Sequence, residues 1–176
     1  MTPADGPRVI LIGPPGAGKT SVGRALATRW GVAFRDTDED VEQVAGKAVP
    51  EIFVDDGEGR FRELEAAAVA AALDDHPGVL ALGGGAVTTP ATQERLTGHR
   101  VVFLDVGLAE ASSRVGLGST RPLLLGNVRS QLKALLDARR PLYTAAASAT
   151  VVTDDLVDGE VVERVAATVE QQIGAS

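Results

Sequence analysis

The chain has 176 residues, of which 44% are hydrophobic and 23% are charged. This length and composition suit one folded domain with a sizeable core and argue against a disordered chain. The formal net charge of −7 argues against a broad electrostatic contact with DNA or RNA. Cysteine is absent and there are two histidines, which excludes disulfides and thiolate chemistry and makes a histidine-rich metal site hard to build.

No segment is typical of secretion or of a membrane span. The first seven residues contain neither the basic region nor the apolar region of a signal peptide. No apolar run approaches the roughly 18 residues that a membrane helix requires. We therefore expect a cytoplasmic protein that forms a single domain over residues 1–176. Because no long heptad pattern or large apolar stripe predicts association, we expect a monomer.

Short apolar segments alternate five times with longer segments of helical periodicity. Residues 116–126 are loop-like, and Pro141 predicts a break in a helix. The alternation predicts an α/β fold in which helices cover both faces of a five-stranded parallel sheet. The expected strands are 9–12, 32–34, 79–82, 101–104 and 150–153, and the expected helices are 20–30, 57–73, 128–140 and 159–173.

A phosphate-binding loop is the most specific motif in the chain. Residues 13–20 have the sequence GPPGAGKT, which matches G-x-x-x-x-G-K-[ST] and lies between a predicted strand and a predicted helix. Glycines let main-chain N–H groups surround phosphate oxygens, while Lys19 contacts the β- and γ-phosphates and Thr20 ligates Mg²⁺. We therefore expect ATP and Mg²⁺ to bind here. The expected ATP-binding residues of the loop are Gly16, Ala17, Gly18, Lys19, Thr20 and Ser21.

Other features restrict the class of phosphate-loop protein. A guanine-specific switch would carry an Asn-Lys-x-Asp motif, but the only asparagine, Asn127, is followed by valine. A motor or ring ATPase would carry an apolar strand that ends in aspartate, whereas the third predicted strand ends in glycines at 83–85. A chain of this size and pattern favours a kinase that acts on a small molecule or nucleotide.

Asp36 and Asp38 follow the second predicted strand, at the edge of the sheet where the phosphate loop opens. If the segment is extended, the alternation of side chains places both carboxylates on the same side. One could then hold a metal-bound water while the other accepts a hydrogen bond from an attacking hydroxyl group. The alternative is a solvated turn that caps a helix beginning near Asp40.

Several further residues carry weaker signals. Arg62 suits either an anion site or a helix surface, and glycines 83–85 indicate either a close approach to the backbone or a tight turn. Arg139 lies near the expected break at Pro141. Arg121 lies in a glycine-flanked loop of the kind that closes over phosphates.

Eight motifs follow one another along the chain, from the phosphate loop to Tyr143. They are GPPGAGKT at 13–20, Asp36-Thr37-Asp38, Ile52-Phe53, Gly57-Glu58, Phe61-Arg62-Glu63-x-Glu65, Leu82-Gly83-Gly84-Gly85, Arg121-Pro122-Leu123 and Arg139-x-Pro141-x-Tyr143. In this order the motifs resemble those of the shikimate kinase family. The resemblance implies a fold of the nucleoside-monophosphate-kinase type, with a lid at about 114–126 and a substrate-binding segment at about 36–64.

The resemblance also implies a reaction, the transfer of the γ-phosphoryl group of ATP to the 3-hydroxyl of shikimate in aromatic amino-acid biosynthesis. By position, Asp38 would bind the shikimate hydroxyls, and Arg62 and Arg139 would hold its carboxylate. The backbone of Gly83, Gly84 and Gly85 would line the same pocket. Lys19, Asp38 and Arg121 would then form the catalytic set.

The remaining implied contacts concern the nucleotide and its metal ion. Arg121 would reach the transferring phosphate, Arg114 would lie near the adenine, and Asp36 would assist Thr20 at Mg²⁺ through water. Residues 153–156 are acidic where the family would have a basic or proline-containing adenine contact. Two alternative functions stay open at this stage, which are a gluconate-type kinase of the same fold and a non-catalytic nucleotide-binding regulator.

Overall fold

The computed structural model describes the backbone of residues 6–118 and 128–175, and the side chains of residues 6–113 and 129–175. Within these residues, five parallel strands form one sheet in the order β2-β3-β1-β4-β5. The predicted five-stranded parallel sheet is therefore confirmed. The strands are β1 (Val9–Ile12), β2 (Phe34–Asp36), β3 (Val79–Ala81), β4 (Val101–Asp105) and β5 (Ala149–Val152).

Helices connect consecutive strands and cover both faces of the sheet. A short 3₁₀ turn, Ala86–Thr88, follows β3. None of the helices in the described part of the chain is long and apolar enough to cross a membrane. The helices are α1 (Lys19–Trp30), α2 (Thr37–Ala45), α3 (Val49–Asp75), α4 (Pro90–Leu96), α5 (Leu108–Gly118), α6 (Val128–Ala146) and α7 (Asp158–Gly174).

The central strand β1 separates two hydrophobic cores. All four of its side chains are buried, and successive residues point to opposite faces. Val9 and Leu11 pack on the face covered by α1 and α7, whereas Ile10 and Ile12 pack against α3, α4 and Tyr143. A strand that is buried on both faces must be apolar throughout, which explains why this segment was predictable.

The substrate-binding segment differs from the prediction in its helices. Strand β2 begins at Phe34 rather than at residue 32, and α2 begins at Thr37, three residues before Asp40. Helix α3 begins at Val49, because a helical stretch that was not predicted precedes residue 57. Gly57 itself has non-helical dihedral angles (φ 85°, ψ 165°) and separates this stretch from the predicted helix that follows it, which is confirmed within α3. Helices α4 and α5 were not predicted.

The predicted helix break at Pro141 is wrong. Helix α6 continues through Pro141 to Ala146. Proline removes one main-chain hydrogen bond, but packing on both sides of it outweighs that loss. Just after Pro141, Tyr143 is 1% exposed and stacks on Phe103 with ring centroids 4.9 Å apart.

Candidate active site

A cavity of about 350 Å³ opens where β1 and β3 end and α1 begins. The crevice beyond the carboxyl ends of parallel strands is the usual ligand site of such sheets. Residues from the phosphate loop, from the start of α2 and from the segment after β3 meet there. The cavity is lined by Pro15, Gly16, Gly18, Lys19, Thr20, Ser21, Asp36, Asp38, Leu82, Gly83 and Gly84.

The phosphate loop presents main-chain donors and one partly buried cation, Lys19. Gly18 (φ 90°) caps α1 without a side-chain hydrogen bond, so the first N–H groups of the helix stay available to an anion. The Lys19 Nζ donates to the carbonyl oxygens of Gly13 (2.6 Å) and Pro14 (3.0 Å). Burial lowers the pKa of Lys19 to about 8, although the charges of Asp38 and Asp36 oppose this shift.

Asp36 and Asp38 lie at the turn from β2 into α2. The Asp36 carboxylate caps α2 by accepting the N–H of Asp38 at 2.9 Å, and it lines the cavity as well. The predicted extended segment is wrong, because Asp38 lies in the first turn of α2. The two carboxylates still face the same cavity, since the strand-to-helix turn brings them together at the sheet edge.

The Asp38 carboxylate is only partly satisfied. Its Oδ1 is buried and has no hydrogen-bond partner among the described residues. Burial and the nearby charge of Asp36 raise the pKa of Asp38 to about 6, and Lys19 partly offsets that shift. Burial also raises the pKa of Asp36. An unpaired acceptor in a cavity is suited to a ligand that donates hydrogen bonds.

Arg62 on α3 lies at the site and is held by acidic neighbours. Its guanidinium donates to Glu65 Oε1 at 2.8 Å and lies 3.6 Å from Glu58 Oε1. Glu65 is 1% exposed, and its Oε2 has no partner in the described residues. Burial raises the pKa of Glu65, and Arg62 opposes the shift. Glu65 was not among the predicted site residues, although its i,i+3 spacing from Arg62 was a signal.

The glycines at 83–85 leave room for these side chains. A Cβ atom at Gly83 would lie 2.5 Å from Asp38 Oδ1 and 2.9 Å from Glu65 Oε2. At Gly85 it would lie 2.4 Å from Arg62 Nη2. The close approach that the glycine run predicted is therefore found, and what approaches the backbone is this set of charged side chains.

Arg139 reaches the same site from α6. It is half-buried, and its positive charge adds to the effect of burial in lowering the pKa of Lys19. Phe61 belongs to a small core with Val41 and Ile52 and is 4% exposed.

Two predicted site residues lie in the part of the chain that is not fully described. Arg121 lies outside the described residues. Arg114 belongs to α5, but its side chain is also outside them. The structure therefore brings together the loop residues, Asp36, Asp38, Arg62, Gly83, Gly84, Gly85 and Arg139.

Known proteins are similar to this chain in both sequence and architecture. The family model described as shikimate kinase matches residues 15–170. A shikimate kinase of Salinispora arenicola is 58% identical over 161 residues, which is 92% of this chain and 96% of the relative. One from Thermobifida fusca is 56% identical over 160 residues, 91% of this chain and 93% of the relative.

Solved structures agree with the sequence matches. Shikimate kinase from Acinetobacter baumannii in complex with shikimate superposes with a TM-score of 0.88 at 33% identity, over 96% of this chain and 95% of that one. A gluconokinase from Sinorhizobium meliloti reaches a TM-score of 0.57 at 19% identity over 93% and 91% of the two chains, which shows a shared fold alone. The chain therefore belongs to the shikimate kinase family of ATP-dependent kinases.

Proposed function

We propose that this chain uses the cavity between the phosphate loop, α2 and residues 83–85 to transfer the γ-phosphoryl group of ATP to the 3-hydroxyl of shikimate. The kinase activity follows from membership of the family. We propose which residues carry out each step. The observation that carries it is the convergence of Asp38, Arg62 and Arg139 beside the phosphate-loop Lys19. A carboxylate and two guanidinium groups match a small anion that bears several hydroxyls.

The nucleotide side of the proposal rests on residues 16–21. Their main-chain N–H groups at the start of α1 would receive the phosphates, and Lys19 would exchange its bonds to the loop carbonyls for phosphate oxygens. Lys19 is the positive charge at the point of transfer. It acts by neutralising negative charge on the phosphoryl oxygens, because the transition state of phosphoryl transfer is loose.

The residues at the loop also fit Mg²⁺. Thr20 is an exposed hydroxyl in the first turn of α1, and Asp36 presents a partly buried carboxylate across the cavity. Among the residues described, no three carboxylates or histidines form a metal site of their own. That donor set suits Mg²⁺ held by Thr20, by Asp36 through water, and by the nucleotide phosphates. The ion would neutralise charge on those phosphates.

On the acceptor side, Asp38 would orient the attacking hydroxyl. The hydroxyl oxygen forms a bond to the γ-phosphorus, the bond from that phosphorus to ADP breaks, and the hydroxyl proton is released. Because burial raises its pKa to about 6, Asp38 can accept the hydrogen bond and the proton. Arg62 and Arg139 would hold the carboxylate of the substrate, while the main chain at 83–85 borders the ring.

Further assignments complete the proposal. Arg121 would contact the transferring phosphate and Arg114 the adenine side, within a lid at about 114–126. The substrate-binding segment at about 36–64 is supported by Asp38 on α2 and Arg62 on α3. We propose one domain over 1–176, a monomer, and a cytoplasmic location.

A coupled assay with shikimate and Mg-ATP tests the proposal directly. Arg139→Ala is expected to raise the shikimate KM by about 10- to 200-fold, because charge-assisted hydrogen bonds are lost. The KM for ATP should change little. Arg140→Ala is the matched control, since the neighbouring arginine pairs with Asp105 at 3.1 Å and is half-exposed.

Two outcomes would reject parts of the proposal. An unchanged shikimate KM in Arg139→Ala would place the carboxylate elsewhere. Folded wild-type protein that phosphorylates another hydroxylated acid but not shikimate would reject the assigned acceptor.

A further inference from the structure

Thr37 is a buried polar residue that the assignments above do not use. It lies between Asp36 and Asp38 in sequence and is the first residue of α2. It is 0% exposed, and its Oγ1 accepts the N–H of Gly83 at 3.3 Å, across 46 residues of sequence. In the part of the chain that the structure describes, this is the one hydrogen bond that joins α2 to residues 83–85, the glycine segment.

The glycine segment is held in place by elements other than α2. The Tyr143 hydroxyl on α6 donates to the carbonyl oxygen of Gly84 at 2.5 Å. The Thr88 hydroxyl, in the 3₁₀ turn after β3, donates to the carbonyl oxygen of Gly85 at 2.6 Å. Because neither contact involves α2, the segment provides a fixed backbone against which α2 can be positioned.

Helix α2, in contrast, follows the shortest connection to the sheet. Strand β2 has three residues and lies at the edge of the sheet, where it pairs with β3. The first turn of α2 carries Asp38, and a Cβ atom at Gly83 would lie 2.5 Å from Asp38 Oδ1. Thr37 therefore bonds to the same glycine that the neighbouring carboxylate contacts. This bond fixes how the Asp38 carboxylate lies against the backbone of the glycine segment.

We propose that Thr37 is a positioning residue, which holds the Asp38 carboxylate at the glycine segment by accepting the N–H of Gly83. This inference rests on the proposed function in one respect, namely that Asp38 binds and orients the substrate hydroxyl. It adds that this orientation depends on a single buried oxygen atom. A role restricted to packing would depend on the methyl group and the shape of Thr37 and not on its oxygen.

Thr37→Val and Thr37→Ser separate these roles. Valine keeps the branched shape but has no acceptor for the N–H of Gly83, whereas serine keeps the oxygen and loses only the methyl group. We expect Thr37→Val to raise the shikimate Kd by about 5- to 20-fold, from weakening a hydrogen bond to a charged group, and to lower kcat by about 10-fold. Thr37→Ser should keep both within about threefold.

Calorimetric titration with shikimate in the absence of nucleotide measures the Kd, and the coupled assay measures kcat. The KM for ATP should stay within about twofold in both variants, because the phosphate loop is unchanged. Thr92→Val is the matched control. Thr92 on α4 is 1% exposed and does not line the cavity, so this variant makes the same change at an equally buried threonine. It should keep the wild-type Kd and kcat, and thermal unfolding verifies that each variant is folded.

A double variant tests whether Thr37 acts through Asp38. Asp38→Ala should raise the shikimate Kd by about 10- to 100-fold, because a hydrogen bond to a charged group is lost. Adding Thr37→Val to Asp38→Ala should change the Kd by less than twofold, because the carboxylate that Thr37 positions is already absent. A packing role would instead give the same additional effect in both backgrounds.

An unchanged shikimate Kd in Thr37→Val would overturn the inference, as would a larger effect of Thr37→Ser or an equal effect of Thr92→Val. These results differ from a failure of the proposed function. If Asp38→Ala weakens shikimate binding and Thr37→Val does not, only the positioning role is rejected. If Asp38→Ala leaves the Kd unchanged, the assignment of Asp38 fails and the positioning role fails with it.

Discussion

The carboxylates at the two ends of the sheet's carboxyl edge differ in their hydrogen bonding. At the β2–β3 end, Asp38 Oδ1 and Glu65 Oε2 are buried without partners in the described residues. At the β4–β5 end, Asp154 Oδ1 accepts the N–H of Gly107 at 2.8 Å, and Glu110 Oε1 accepts the N–H of Asp155 at 2.8 Å. Both ends are acidic, and at the second end these two carboxylates join the segment after β4 to the segment after β5.

This difference separates carboxylates that are suited to binding a ligand from carboxylates that stabilise the fold. A buried carboxylate oxygen without a partner costs stability, and it is retained where a ligand completes its bonding. The carboxylates of Asp154, after β5, and of Glu110, on α5, already accept main-chain N–H groups, so they stabilise the contact between these two segments. Among the acidic residues at 153–156, the Asp154 carboxylate therefore has a structural role.

The largest effect should come from the phosphate loop. Lys19→Met removes the positive charge at the point of phosphoryl transfer, and we expect kcat to fall by about 10³-fold or more. Because burial already disfavours the charged form of Lys19, Tm should not fall. Lys47→Met, which removes a cation paired with Asp56 at 2.7 Å, is the control and should keep wild-type kcat. Near wild-type turnover in Lys19→Met would contradict the assigned phosphate site.

Gly85→Ala tests whether the acceptor side depends on close approach to the backbone. The φ of −101° at Gly85 suits alanine, and the three atoms nearest to the new Cβ belong to the Arg62 guanidinium, at 2.4 to 2.7 Å. Arg62 must move, and we expect the shikimate KM to rise by about 10-fold or more. Gly59→Ala, at a helical position with no atom within 4 Å, is the matched control. Equal KM values for the two variants would contradict this account.

Asp38→Asn should stabilise the protein while it slows the reaction. The folded state holds the Asp38 proton up to about pH 6, whereas the unfolded chain releases it near pH 4, so ionisation of Asp38 destabilises the fold as pH rises between these values. Without ligands or Mg²⁺, the Asp38→Asn variant should have the same Tm as wild type at pH 3.5. At pH 7.5 its Tm should be about 3 to 6 °C higher. Thermal unfolding of both proteins across this pH range checks the prediction. A difference in Tm that does not change with pH would contradict it.

Local motifs made part of this site predictable from sequence. The phosphate loop was recognisable because its glycines, Lys19 and the start of α1 are contiguous in the chain. Asp36 and Asp38 were placed at the site by an argument that assumed an extended segment, whereas a helix cap brings them together. Both residues nevertheless lie at the cavity, because the end of β2 fixes their position.

The remaining features depend on contacts that sequence spacing does not reveal. Tyr143 meets Gly84 across 59 residues, and Gly83 donates to Thr37 Oγ1 across 46 residues at 3.3 Å. Such pairs are set by the order of the strands in the sheet. The continuous α6 was missed for a related reason, because the core contacts that carry the helix past Pro141 come from other elements.

Asp154→Ala should give the smallest effect of these variants, and it tests the β4–β5 end of the sheet edge. It removes the acceptor for the Gly107 N–H and loosens the contact between the two loops at the β4–β5 end. Losing one such bond should lower Tm by about 2 to 4 °C, while kcat at saturating substrates stays within about twofold. Thermal unfolding and steady-state rates on the same preparation measure both. A rise in Tm, as expected for Asp38→Asn, would mean that the Asp154 carboxylate also destabilises the unliganded fold. The β2–β3 and β4–β5 ends would then not differ in this respect.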